Sequence, residues 1–421
     1  MKKLLVILLL ALVLALPAQA EYAVEPLEIA APQPIGINNL AEAKAEAWSA
    51  YADAQLNDPT LLQETQDCAM TFGEATMRYA VLVIGDKPEL GYPMYIAMHG
   101  GGSDDTPDFN DEQWDEMKTY YSDALDCGVY VAVRGVRDTW DTHFNPESYP
   151  LYDRLIRYMI LTQDVDPNRV YVEGFSAGGD GVYAIGNRMP DRFAAANMSS
   201  GHPNGISMVN MYNLPIQLQA GEYDDEYDRH KITAEYGLKL DELQAEYGGY
   251  EHRTLIHYDC GHNYDDFQPT PIPVMADIAA WLNDGDRTTV DVDSFPPDYM
   301  DAFTRDPLPT SLIWDLSTRA DTRETETFYY MSAPYTTNQG MIQVASAGDN
   351  GFAIEADDVN GEFSILLNEY MVDFSQPVTF VVNGEETTLT LTPDMAVLAA
   401  TTEDRGDPWY QFEAMVTFRA Q

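Results

Sequence analysis

A serine held between glycines is the first pattern in this chain that suggests chemistry. Gly174-Phe175-Ser176-Ala177-Gly178 has the form G-x-S-x-G. Small residues on both sides let a chain turn sharply around the serine and project its hydroxyl. That hydroxyl needs a base, a carboxylate to orient the base, and donors for a developing oxyanion. The chain has seven histidines. His262, in Asp259-Cys-Gly-His-Asn-Tyr264, follows the last candidate core strand, where an imidazole reaches across strand ends towards Ser176. His257 lies inside that strand and reads as structural. His202, in Ser200-Gly-His-Pro-Asn204, precedes the acidic candidates, whereas the expected order is serine, acid, histidine; it reads as a possible pocket residue. The acid falls in Gly221-Glu-Tyr-Asp-Asp-Glu226, with Asp224 at the Gly-x-x-Asp position and Asp225 as the neighbouring alternative. A solvated acidic loop is the plainer reading of that cluster, and its place between Ser176 and His262 favours the functional one. Oxyanion donors are expected from the N–H of Ala177 and from His99-Gly-Gly-Gly102, with Gly101 and Gly102 as the donors. His99 and Trp140 join His202 as possible pocket residues. This chemistry calls for no metal and no cofactor.

Such groups work only if strands and helices deliver them to one edge. Val170-Tyr-Val-Glu173 is a buried-strand pattern leading into the serine turn, and Val182-Tyr-Ala-Ile185 continues as helix. Strands are expected at Ala75–Ile84, Tyr95–Met98, Val129–Val133, Phe193–Met198, Ile216–Ala220 and Arg253–Tyr258. Helices are expected over 40–56, 112–125, 149–161, 228–247 and 272–283. The alternation implies an α/β unit with a mainly parallel sheet covered on both faces. A linker rich in Asp and Pro runs to about residue 306. Beyond it, short alternating runs from Ser311 to Phe418 and the hairpin signal Asn383-Gly384 suggest an all-β sandwich. The expected domains are a signal peptide over 1–20, an arm and helix over 21–70, a catalytic domain over 71–290, and a linker with sandwich over 291–421. The C-terminal unit shows no legible catalytic motif. Trp314, Tyr329, Tyr330 and Trp409 are either sugar-stacking or core residues.

Composition narrows the function. The 421 residues carry 69 acidic against 23 basic side chains, a net charge of −46. Such a field excludes nucleic acid and anionic membranes as partners and suits a surface screened by high salt. Met1-Lys2-Lys3, an apolar run from Leu4 to Leu16 and Pro17-Ala18-Gln19-Ala20 read as a cleavable export signal. The expected location is therefore secreted or periplasmic, with a mature chain from near Glu21 and no membrane span. Of Cys68, Cys127 and Cys260, an exported chain could pair two, and none is spaced as a zinc set.

With those motifs in place, residues 75–283 resemble the α/β-hydrolase superfamily of serine esterases. The segments His99-Gly-Gly-Gly102, Gly174-Phe-Ser-Ala-Gly-Gly179, Gly221-Glu-Tyr-Asp224 and Gly261-His262 are similar to poly(3-hydroxybutyrate)-depolymerase-like and feruloyl-esterase-like members. They are also similar to catalytic domains of prolyl-oligopeptidase-type peptidases. The resemblance implies an exported carboxylesterase acting on a small-molecule ester through Ser176, Asp224 and His262. Two competing readings are a prolyl-oligopeptidase-type peptidase and a non-catalytic carbohydrate-binding or adhesive protein.

Overall fold

The computed structural model describes residues 22–102, 107–257, 260–262, 302–318, 323–348 and 350–421. It also describes Met300 and a two-stranded pair, Val274–Met275 with Arg287–Thr288. The expected helix over 272–283 is therefore a strand where it is described, at Val274–Met275. Its remainder, and most of the linker, lie outside the described residues.

In chain order the first layered unit contains β2 (Ala69–Phe72), β3 (Ala75–Ile84), β4 (Tyr92–Met98), β5 (Gly128–Val133), β6 (Val165–Phe175), β7 (Ala195–Ser199), β8 (Ile216–Gly221) and β9 (His252–His257). Strand β1 (Tyr22–Pro26) belongs to the other unit. The eight strands form one sheet in the order β2-β3-β5-β4-β6-β7-β8-β9. Pairing is antiparallel at β2–β3 and β3–β5 and parallel from β5 to β9. Side chains of the central strands alternate between two cores. Met94, Ile96, Val170 and Val172 enter one, with Leu155 and Ile156 of the helix Ser148–Gln163 and Val182 and Ile185 of the helix Ala177–Arg188. Tyr95, Ala97, Tyr171 and Phe175 enter the other, with Met117 of the helix Pro107–Tyr120. Both faces are buried, so these strands read as near-continuous apolar runs. Each large apolar side chain withdrawn from water contributes roughly 1.5–3 kcal/mol before the entropy of ordering is subtracted.

The second unit stacks two five-stranded sheets around their own core, which includes Trp314, Phe328, Phe363, Phe380 and Phe418. Asn383 and Gly384 have φ of 49° and 88°, the positive values that a tight hairpin demands, and they join Val378–Val382 to Glu385–Leu389. The alternating pattern missed the strand Gly351–Asp357 and a helix at Met395–Arg405. The N-terminal arm is sewn into this unit rather than standing apart. Strand β1 pairs antiparallel with the last strand, Ala414–Ala420, and Leu40 and Ala43 of the helix Leu40–Leu56 enter the second core. Trp314, Tyr329 and Tyr330 are buried and belong to that core, so of the four aromatics weighed as sugar platforms only Trp409 is exposed.

The two units meet across buried ion pairs. Arg188 reaches Glu326 at 2.6 Å and Arg405 reaches Asp191, while Arg305, paired with Asp407 at 2.8 Å on its own side, donates to Asn168 Oδ1 at 2.9 Å. Burial alone works against the Asp153 charge, but Arg157, Arg192 and Arg323 hold its carboxyl well below the usual carboxylate range. Asp191 and Arg188 lie at and just beyond the end of the helix that starts after Ser176, so the β unit grips the far end of that helix. Among the described residues no disulfide joins Cys68, Cys127 and Cys260, two of which an exported chain could have paired.

Candidate active site

Strand β6 ends at Phe175, and Ser176 takes φ 57° and ψ −119° before the helix begins at Ala177. A side chain rarely adopts that backbone, and the glycines around it are what permit the turn. A Cβ on Gly174 would lie 2.3 Å from the Gly178 carbonyl oxygen, and one on Gly178 would lie 2.0 Å from the Met98 carbonyl oxygen. The Ser176 N–H donates to the Ser199 carbonyl at 2.9 Å, which ties the turn to β7. Ser176 thus stands at a helix N-terminus, where unpaired N–H groups and the helix dipole favour negative charge.

His262 and Asp224 converge on it. His262 Nε2 is 3.0 Å from Ser176 Oγ, and His262 Nδ1 is 3.0 Å from Asp224 Oδ2. The Asp224 side chain is fully buried, while that of His262 is 31% exposed, so the imidazole meets the pocket and the carboxylate stays behind it. Asp225, the alternative acid, points to solvent. The two loops are cross-bonded: the Glu222 N–H donates to the His257 carbonyl at 2.8 Å, and the Tyr223 N–H donates to the Cys260 carbonyl at 2.9 Å. Gly221 makes this possible, because a Cβ there would meet the Gly261 carbonyl oxygen at 2.0 Å. Arg229 adds a cation that the sequence reading did not single out. Its Nη1 lies 3.7 Å from Asp224 Oδ1, the oxygen that His262 does not use.

The glycine loop after β4 passes beside the turn. A Cβ on Gly100 would sit 3.3 Å from Ser176 Cβ, and one on Gly102 would sit 3.3 Å from Ala177 Cβ. The expected donors divide here. The Gly102 N–H is bonded within the protein, to Asn110 Oδ1 at 2.8 Å, while Gly101 and Ala177 line the pocket beside Ser176. His99, expected in the pocket, is instead fully buried behind the loop. Its Nε2 accepts from the Gly135 N–H at 3.1 Å, and burial pushes its pKa down to about 4, so it stays neutral. His257 is likewise buried and lowered to about 4, with Nε2 2.7 Å from Gln219 Oε1, as a structural residue should be.

 Ser176, His262, Gly101 and Ala177 line a pocket of about 760 Å³. Trp140 and His202, weighed in the sequence as pocket residues, line it too, and so do Phe109, Asp180, Asn204, Tyr227 and Arg229, which were not singled out. Asp180 fixes one wall: its Oδ1 accepts from the His202 N–H at 2.6 Å and its Oδ2 from Asn204 Nδ2 at 3.0 Å. Burial raises the Asp180 pKa, although those donors oppose the shift. Among the described residues no group of three His, Cys, Asp or Glu side chains could hold a metal ion.

A mainly parallel sheet, a serine at the turn after β6, and an acid and a histidine after β8 and β9 decide the architecture. The fold is that of an α/β-hydrolase with an added β unit. No protein-family model matches the chain. No curated protein matches it by sequence. Solved structures similar to part of it include a thermostable esterase, at 23% identity over 44% of this chain and 53% of that one, with a TM-score of 0.34. This chain thus spans about half the length of that esterase. The poly(3-hydroxybutyrate) depolymerase LpqC from Bordetella parapertussis matches at 13% identity over 45% of this chain and 80% of that one, with a TM-score of 0.36. A putative dipeptidyl aminopeptidase IV from Bacteroides ovatus matches at 16% identity over 46% and 32%, with a TM-score of 0.34. No helix among the described residues is long and apolar enough to cross a membrane.

Proposed function

We propose that this protein is an exported hydrolase of carboxylic esters that works through an acyl-enzyme on Ser176. The observation that carries the reading is the chain of contacts from Ser176 Oγ to His262 Nε2 to Asp224, each 3.0 Å long, at a positive-φ turn beside two backbone donors. Asp224, as a carboxylate, only accepts, so it holds the proton on His262 Nδ1 and leaves Nε2 as the base. Ser176 Oγ attacks the ester carbonyl carbon and its proton passes to Nε2. The N–H groups of Gly101 and Ala177 bind the oxyanion. Collapse breaks the bond to the alcohol oxygen, which leaves with the proton from Nε2. A water then loses its proton to Nε2, attacks the acyl carbon, and releases the acid while Ser176 regains its proton.

Export is part of the same reading. Tyr22 already pairs with Ala420, so cleavage before Glu21 leaves strand β1 whole. The test is turnover of a p-nitrophenyl ester panel beside aminoacyl arylamides. Ester turnover that vanishes in Ser176→Ala, together with fluorophosphonate labelling, supports the proposal. Arylamide turnover exceeding ester turnover replaces it with a peptidase, and labelling of a residue other than Ser176 overturns the site.

A further inference from the structure

A run of three glycines is poorly suited to hold an oxyanion donor still, because glycine loses the most conformational freedom on ordering. Gly101 and Gly102 have φ of 104° and 79°, values that favour glycine, and glycine has no side chain to restrain the backbone. We propose that Asn110 is the positioning residue that locks this loop and so aims the Gly101 N–H at the oxyanion; this rests on the ester-hydrolase reading above.

Asn110 lies on the helix Pro107–Tyr120 and is fully buried. Its Oδ1 accepts from the Gly102 N–H at 2.8 Å, and its Nδ2 donates to Asp138 Oδ1 at 3.0 Å. The carboxylate can only accept, so it dictates which end of the amide faces the loop. Asp138 is held in turn by Arg134, whose Nε also reaches Asp111 Oδ1 at 2.8 Å on the same helix. The amide is therefore braced from two elements at once. Its contact with the loop is close: a Cβ on Gly101 would lie 2.4 Å from Asn110 Oδ1. On the other side, a Cβ on Gly102 would lie 3.0 Å from the Thr139 carbonyl oxygen and 3.2 Å from Trp140 Cα. The loop is thus gripped between Asn110 and the 139–140 segment. Because Asn110 occupies the Gly102 N–H, that group holds the loop while Gly101 faces the substrate.

The experiment compares wild type, Asn110→Ala and Asp138→Asn in the full chain, using p-nitrophenyl acetate and an aliphatic trifluoromethyl ketone that forms a tetrahedral adduct on the serine. Removing a whole oxyanion donor costs about 10²–10³ in kcat, so misaiming one should cost roughly 10–100-fold in Asn110→Ala. KM should stay within about threefold, and affinity for the ketone should fall in parallel with kcat, a signature of lost transition-state stabilisation. Asp138→Asn, which is partly exposed, should show the same signature more weakly and serves if Asn110→Ala does not fold. A folded variant with kcat and ketone affinity within twofold of wild type overturns the proposal, even if its Tm is lower. Turnover surviving in Ser176→Ala would instead overturn the reading on which it rests.

Discussion

Replacing Asp224 by asparagine changes almost no volume and should nearly abolish turnover. His262 Nδ1 lies 3.0 Å from Asp224 Oδ2, while Arg229 Nη1 lies 3.7 Å from Oδ1. An asparagine must place its oxygen towards one and its NH₂ towards the other. The Arg229 cation draws the oxygen, which turns the NH₂ towards Nδ1. Nδ1 then has to accept, so the ring proton moves to Nε2 and faces Ser176 Oγ, which it can no longer deprotonate. The wrong tautomer costs about 10⁴ in kcat in comparable triads, or about 5.5 kcal/mol at 1.36 kcal/mol per decade. Asp225→Asn, at an exposed neighbour, should stay within about twofold. The assay is kcat on p-nitrophenyl acetate at saturation, with Tm to confirm folding. An Asp224→Asn enzyme retaining more than about 10% of kcat, or a larger loss in Asp225→Asn, would refute the assignment of the acid.

Two further outcomes can be measured. Burial raises the Glu413 pKa from 4.5 to about 7, against the pull of Lys44 at 3.0 Å. A group with a raised folded pKa stabilises fully below its unfolded value, and that contribution is lost as pH rises through the folded one. Tm should therefore fall between pH 4.5 and about 7, and Glu413→Gln should flatten this slope; an unchanged slope would count against it. Glu226 lines the pocket, and Asp108, Glu112 and Asp225, next in sequence to the lining residues Phe109, Gln113 and Glu226, are exposed, whereas Asp111 is tied to Arg134 and Arg78. A neutral ester should outpace a matched carboxylate-bearing one in kcat/KM at low salt, and the gap should close by 1 M NaCl, where the Debye length is about 3 Å. Arg229 in the pocket wall opposes this trend, and a ratio that ignores salt would remove any steering role for the rim.

The convergence of Ser176, Asp224 and His262 was legible in the sequence because it depends on local turns and chain order. Glycines on both sides of Ser176, an acid after one strand and a histidine after the next must fall in that order for the strand ends to bring them together. Strand positions were legible for a similar reason, since burial on both faces imposes apolar runs. Other features depend on contacts between residues far apart in the chain, for which no local pattern exists. Asn110 looks like any polar residue on a helix until the fold sets its amide between Gly102 and Asp138. His99 shares a motif with Gly100, Gly101 and Gly102, yet it turns into the core after β4. The arm before residue 57 has an ordinary amphipathic pattern, and only the pairing of Tyr22 with Ala420 and the packing of Leu40 and Ala43 into the second core assign it to the C-terminal unit. Trp314, Tyr329 and Tyr330 could have faced sugar or core, since an aromatic side chain serves either, and close packing between the two sheets placed them inside.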